Sequence, residues 1–135
     1  MTLEFLDPQD ASNPLNATKI ESAEELAGTF ERLRTRNAFV FQLAGNNDYK
    51  LTVGLAEDVG FVQYGLSNGD PPYLLALPPA VESLDPGRPQ VEFLCGNTPT
   101  PVPARYYLPH EMVKEIAIYF LETGKRSAGI PWEDI

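Results

Sequence analysis

One histidine and one cysteine limit what this chain of 135 residues can do chemically. A zinc site needs several Cys or His side chains at defined spacing, and His110 with Cys95 supplies too few. Zinc-dependent nucleobase deamination is closed off for the same reason, since it uses an H-x-E and a P-C-x-x-C element. A Cys–His nucleophilic pair remains formally open. Against it, Cys95 shares strand parity with Val91 and Phe93, and a free cysteine in such a place reads as a small core residue. His110 falls in the first turn of a helix, where a charged imidazole gains nothing from the dipole, and reads as exposed. Carboxylates occur as the neighbours Glu24-Glu25, Glu57-Asp58 and Glu133-Asp134. Adjacent residues point to different faces of a strand or helix, so none of these makes an acid–base couple. The glycines stand singly in turns and form no phosphate-cradling loop. The expectation is a chain that is not an enzyme and holds no cofactor and no metal.

The elements that carry these residues follow from periodicity and breakers. Residues 1–20 hold Pro8 and Pro14 and lack a clear period, which predicts an irregular arm with a short extended piece at Leu3 to Leu6. Ser22, with Glu25 three residues later, forms a capping box. Leu26, Phe30 and Leu33 follow at helical spacing, and the helix is expected to end near Arg36-Asn37. Ala38 to Ala44 is apolar and rich in β-formers, and Gly45-Asn46-Asn47-Asp48 is a turn. Leu51, Val53 and Leu55 alternate, Glu57-Asp58 turns, and Val59 to Leu66 returns, giving two or three antiparallel strands. Residues 67–90 are dense in proline around a short strand at Tyr73 to Leu77. Proline cannot donate to a ladder, so this stretch belongs at an edge or in an ordered loop.

Val91, Phe93 and Cys95 resume the alternation, and Val102 to Tyr107 is the last strand expected. Thr98 to Pro103 superficially resembles a polyproline ligand, but it lacks a basic anchor until Arg105 and reads better as a strand lead-in. Pro109 at the first helical position and Glu111 at the positive end of the dipole open a second helix. At 100° per residue, Met112, Val113, Ile116, Ala117, Phe120 and Leu121 fill one half of its wheel. Glu111, Glu115 and Glu122 cluster on the other half with Ile118 among them, either as a surface residue or as part of a contact ridge. Gly124 supplies the left-handed residue past the end. Trp132 is expected to dock on the sheet or helix and tie down the tail, with a contact role as the second reading. The fold class is α+β: one domain over residues 1–135, with a single twisted, mainly antiparallel sheet of five or six strands and two helices packed on one face.

Composition narrows the partners. Nineteen acids against ten Lys and Arg give a net charge of -9, which repels nucleic acid and anionic lipid. The same charge attracts a basic protein surface or simply keeps the chain soluble. With 43% hydrophobic residues the chain can bury a core without staples. The single Cys95 fits a reducing, cytoplasmic setting. No secretory leader and no stretch near the ~20 apolar residues of a membrane helix is visible.

Phe120-Leu121-Glu122-Thr123-Gly124-Lys125-Arg126, followed by Trp132-Glu133, resembles the C-terminal signature of immunity protein family 1. Members of that family are small cytoplasmic antidotes encoded beside bacterial polymorphic toxins, often toxins of the nucleic-acid deaminase type. Where a proline often follows the basic residue in the family, Ser127 stands here. The resemblance implies a non-catalytic antitoxin that binds and occludes a cognate toxin domain with a basic active-site surface. A small-ligand or regulatory binding module using the same fold outside a toxin system is the alternative. Homo-oligomerisation is possible but nothing in the sequence indicates it. Hairpin tips and long ordered loops are where binding groups collect. They single out Glu57 and Asp58 at a tight turn, and Asp70, Tyr73, Glu82 and Asp85 in the proline-rich segment. The ridge of Glu111, Glu115, Ile118 and Glu122 is the second-choice surface.

Overall fold

The computed structural model describes residues 2–7, 12, 14–33, 39–56, 59–78, 91–95 and 98–135. In chain order the elements are β1 (Leu3–Leu6), β2 (Lys19–Ile20), α1 (Ala23–Leu33), β3 (Phe39–Gly45), β4 (Tyr49–Leu55), β5 (Gly60–Leu66), β6 (Leu74–Ala76), β7 (Val91–Cys95), β8 (Thr98–Val102), a 3-10 turn (Ala104–Tyr106), α2 (His110–Thr123) and β9 (Trp132–Asp134). The main path of the sheet runs β2-β1-β3-β4-β5-β6-β9. All neighbours on that path are antiparallel. The β7–β8 hairpin joins it through a parallel pairing of Phe39 with Leu94. The architecture is α+β, as expected, with more strands than the five or six read from the sequence.

The extra strands lie where periodicity is too short to read. Only Leu3 to Leu6 of the first twenty residues carries an extended signal, yet it forms a full partner of β3, with Leu3 opposite Gly45 and Leu6 opposite Gln42. Leu3 and Phe5 are fully buried. Within the described part of the expected irregular arm, β2 forms the end of the sheet beside β1, and the Phe5 N–H donates to Thr18 O at 3.0 Å. At the other end, β9 pairs β6, so the C-terminal tail is the opposite edge of the sheet.

Both helices pack on one face. On α1 the capping box forms as read: Glu25 N–H donates to Ser22 Oγ at 3.1 Å, and Leu26, Phe30 and Leu33 are buried. The expected end near residues 36–37 lies outside the described residues. On α2 the wheel is correct in phase: Met112, Val113, Ile116, Ala117, Phe120 and Leu121 are all buried. The helix starts one residue later than expected, because Pro109 has ψ 150° and caps the helix from extended backbone. Its carbonyl accepts from Met112 at 3.0 Å and Val113 at 3.1 Å. Gly124 ends the helix at φ 73°, donating to Phe120 O at 2.7 Å; a residue with a Cβ is strained there. Ile118 is half-buried against the core and is not part of a purely polar ridge.

Strand alternation sends Phe41, Leu43, Leu51, Val53, Leu55, Val62 and Tyr64 into this helix-covered core. The opposite parity sends Val40, Phe61 and Leu75 into a second, smaller core with Phe93, Val102, Tyr106 and Tyr107. The last strand expected, Val102 to Tyr107, is not one. Thr98–Val102 is the strand, and Ala104 to Tyr106 turns instead. Pro99 and Pro101 alternate along β8, so the N–H groups on the side facing β7 come from Thr100 and Val102, and the missing donors face away.

Candidate functional site

Among the described residues the second core covers part of its side of the sheet, and a groove of about 450 Å³ opens beside it. Its floor is built by three strands in register: Thr52 opposite Gln63, and Gln63 opposite Leu75. Val40 and Phe61 close one end. Thr100 to Pro103 on β8 and the 3-10 turn form the facing wall, and Ile135 stands at the mouth, 56% exposed. The lining is mostly apolar, from Val40, Phe61, Leu75, Phe93 and Val102.

Phe61 holds the wall in place. Its ring meets Phe93 edge-on at 4.9 Å, and Phe93 meets Tyr107 at 6.5 Å. Opposite Phe61 in register is Gly54. A Cβ on Gly54 would come within 2.1 Å of Phe61 Cε1, so the ring lies where only glycine leaves room.

Charge is confined to the groove's rim. Arg105 stacks its guanidinium over the Tyr106 ring at 4.7 Å and pairs with Glu133 at 3.1 Å, the two side chains being 62% and 31% exposed. Burial pushes the Tyr106 phenol up from its ordinary pKa, and a hydrogen bond with Glu133 adds to this while Arg105 opposes it. This trio ties β9 to the 3-10 turn across the groove.

The residues singled out from sequence lie in two places. Asp70 and Tyr73 share the loop between β5 and β6. Asn68 braces it: Oδ1 accepts from the Asp70 N–H at 2.9 Å, and Nδ2 donates to Asp70 Oδ2 at 3.1 Å. The Tyr73 hydroxyl donates to Gly69 O at 2.6 Å. Glu57, Asp58, Glu82 and Asp85 lie outside the described residues. Glu111, Glu115 and Glu122 are exposed on α2, with Glu111 paired to Lys114 at 3.3 Å. The structure thus keeps the loop and the ridge on separate elements. The groove was missed in the sequence because its lining comes from segments that no single motif joins. The one available signal was the apolar residues Val40, Phe61 and Leu75 on what should have been the solvent parity.

His110 and Trp132 also resolve. His110 is half-buried, not exposed, with Nε2 3.2 Å from Val59 O, because the helix begins against β5. Trp132 is half-buried and docked, its Nε1 donating to Ser127 O at 2.9 Å and its ring edge-on to Tyr64 at 6.2 Å. Burial pushes the Tyr64 phenol up, helped by Tyr49 stacked on it at 5.1 Å and opposed by Arg126. The signature residues Phe120, Arg126 and Trp132 therefore surround one tyrosine. Their arrangement is that of a structural clasp.

The family described as immunity protein Imm1 matches residues 16–134. The chain belongs to the Imm1 family. The match runs from the segment before β2 through β9, so it takes in both helices and the groove. No curated protein and no solved structure matches the chain. Among the described residues no group of three or more His, Cys, Asp or Glu is placed to hold a metal. No helix among them is long and apolar enough to cross a membrane.

Proposed function

We propose that this chain is an antidote that acts by stoichiometric occlusion: it binds a cognate toxin domain of a bacterial polymorphic toxin system and covers its active site. The observation that carries this reading is membership of an immunity family over residues 16–134. The net charge of -9 supports a toxin with a basic substrate cleft, as an enzyme acting on nucleic acid requires where phosphates lie. A nucleic-acid deaminase is the toxin type proposed, and the site of action is the cytoplasm of the producing cell. The chain contributes no chemistry; its work is to keep substrate out.

In this reading Glu57, Asp58, Asp70, Tyr73, Glu82 and Asp85 meet the basic surface. Asp70 is exposed and held by Asn68, which lowers the ordering entropy lost on binding. The test is coexpression with the toxin domain of the adjacent reading frame. The antidote restores growth and copurifies at one-to-one stoichiometry. A chain that does neither overturns the proposal.

Reversal of Glu57, Asp58, Asp70 and Asp85 to lysine is expected to slow association about tenfold or more at low salt. It also flattens the salt dependence of the on-rate, because steering charges act over a Debye length of ~8–10 Å. Association rates that do not change move the interface to the Glu111, Glu115, Ile118 and Glu122 ridge.

A further inference from the structure

The groove beside the second core has no role in the reading above beyond its place in the fold, yet it continues into the loop that reading uses. Tyr73 O accepts from the Ile135 N–H at 3.0 Å, so the Asp70–Tyr73 loop abuts the residue at the groove's mouth. In the other direction the floor continues across the sheet as one register row, Gln42, Thr52 and Gln63. These three are half-buried, and their side chains hold no hydrogen bond to another described residue. An apolar slot, a row of uncharged amide and hydroxyl groups, and acids at the rim thus lie on one continuous surface.

We propose that this surface receives an extended segment of the toxin domain. An aromatic or branched apolar side chain of that segment enters the groove, its peptide groups face Gln42, Thr52 and Gln63, and a neighbouring lysine or arginine reaches Glu133. The inference rests on the antidote reading and adds the anchor that reading lacks. Each part follows from chemistry on the surface. A slot of about 450 Å³ with aromatic walls has room for a large side chain together with an apolar neighbour. Glutamine amides offer both a donor and an acceptor, which matches a peptide backbone. Glu133 uses its carboxylate on Arg105 and Tyr106 and retains acceptor capacity for one more cation. Charge complementarity selects the partner: Asp70 on the adjoining loop and the overall charge of -9 favour a basic segment over a second copy of this chain.

The experiment uses calorimetry with the toxin domain of the adjacent reading frame, at constant salt, on the wild type and two variants. Gln63→Trp fills the slot from the floor, and Pro101→Arg places a cation on its exposed wall. Melting curves establish which variants are folded, and Pro101→Arg carries the test if Gln63→Trp is not. The expected result is a Kd at least roughly thirtyfold weaker for each folded variant, the effect of losing a hot-spot contact. Folded variants that bind like the wild type overturn the groove assignment and leave the antidote reading standing. A wild type that does not bind the toxin domain overturns both. A wild-type dimer in sedimentation that the same variants dissociate, with toxin affinity unaltered, assigns the groove to a second copy and overturns the proposal.

Discussion

The two faces of the sheet are made by the same strands but are closed to different extents. On the helix side, Leu51, Val53 and Val62 in the middle strands are fully buried under α1 and α2. Aromatic rings link the layers: Phe5 stacks on Phe41 at 5.3 Å, Phe30 meets Phe41 edge-on at 5.8 Å, and Tyr64 meets Phe120 at 5.9 Å. On the other side the β7–β8 hairpin and the 3-10 turn cover one end, and Gln42, Thr52 and Gln63 remain half-buried beyond it. A small domain needs one well-packed face for stability. Once the helices supply it, the second face is free to carry a groove whose lining changes without unfolding the chain.

The largest test of this division is Phe120→Ala. Phe120 is fully buried on the helix side, and its truncation is expected to lower the unfolding free energy by about 3–5 kcal/mol, read from urea melts. Next is Gly54→Ala, which drives a methyl into the Phe61 ring. Overpacking of this kind costs about 1–3 kcal/mol, and here it should also disturb the groove, visible as a change in toxin affinity that Phe120→Ala does not produce in folded protein. A Gly54→Ala loss as large as that of Phe120→Ala would mean that the open side contributes equally to stability. The smallest effect is expected from Ile118→Ala, about 1 kcal/mol, since Ile118 is half-buried at the edge of the helix-side core. A loss close to zero would return Ile118 to the exposed ridge read from the sequence.

The helix side was legible in advance because its signals are local. The Ser22–Glu25 capping box, the Leu26–Phe30–Leu33 stripe and the α2 wheel each lie within one element, and each appears in the structure with the expected phase. The hairpin of β4 and β5 was legible for the same reason, through alternation. What escaped depends on pairing between distant segments. Leu3 to Leu6 was read as extended, but its place beside β3 was not, and β2 is two residues long, too short to show a period. Residues 104–106 turn where a strand was expected, because the strand forms earlier, across two prolines that an edge tolerates. Of the residues singled out for binding, Asp70 and Tyr73 in the described loop share one braced turn. The groove next to them draws on six strands and a turn, which no stretch of sequence announces.

The ends of the sheet have a bearing on how this protein behaves when concentrated. A strand with an open side invites another chain to add to it, and such additions seed aggregates. Here β2 is two residues long and carries Lys19. β9 is three residues long and carries Glu133 and Asp134. β8 exposes the sides of Pro99 and Pro101, which have no N–H to offer. Among the described residues these three strands are short, charged or lack a donor, features that disfavour strand addition. For an antidote of the kind proposed, staying folded until its target appears depends on such edges as much as on any contact it makes.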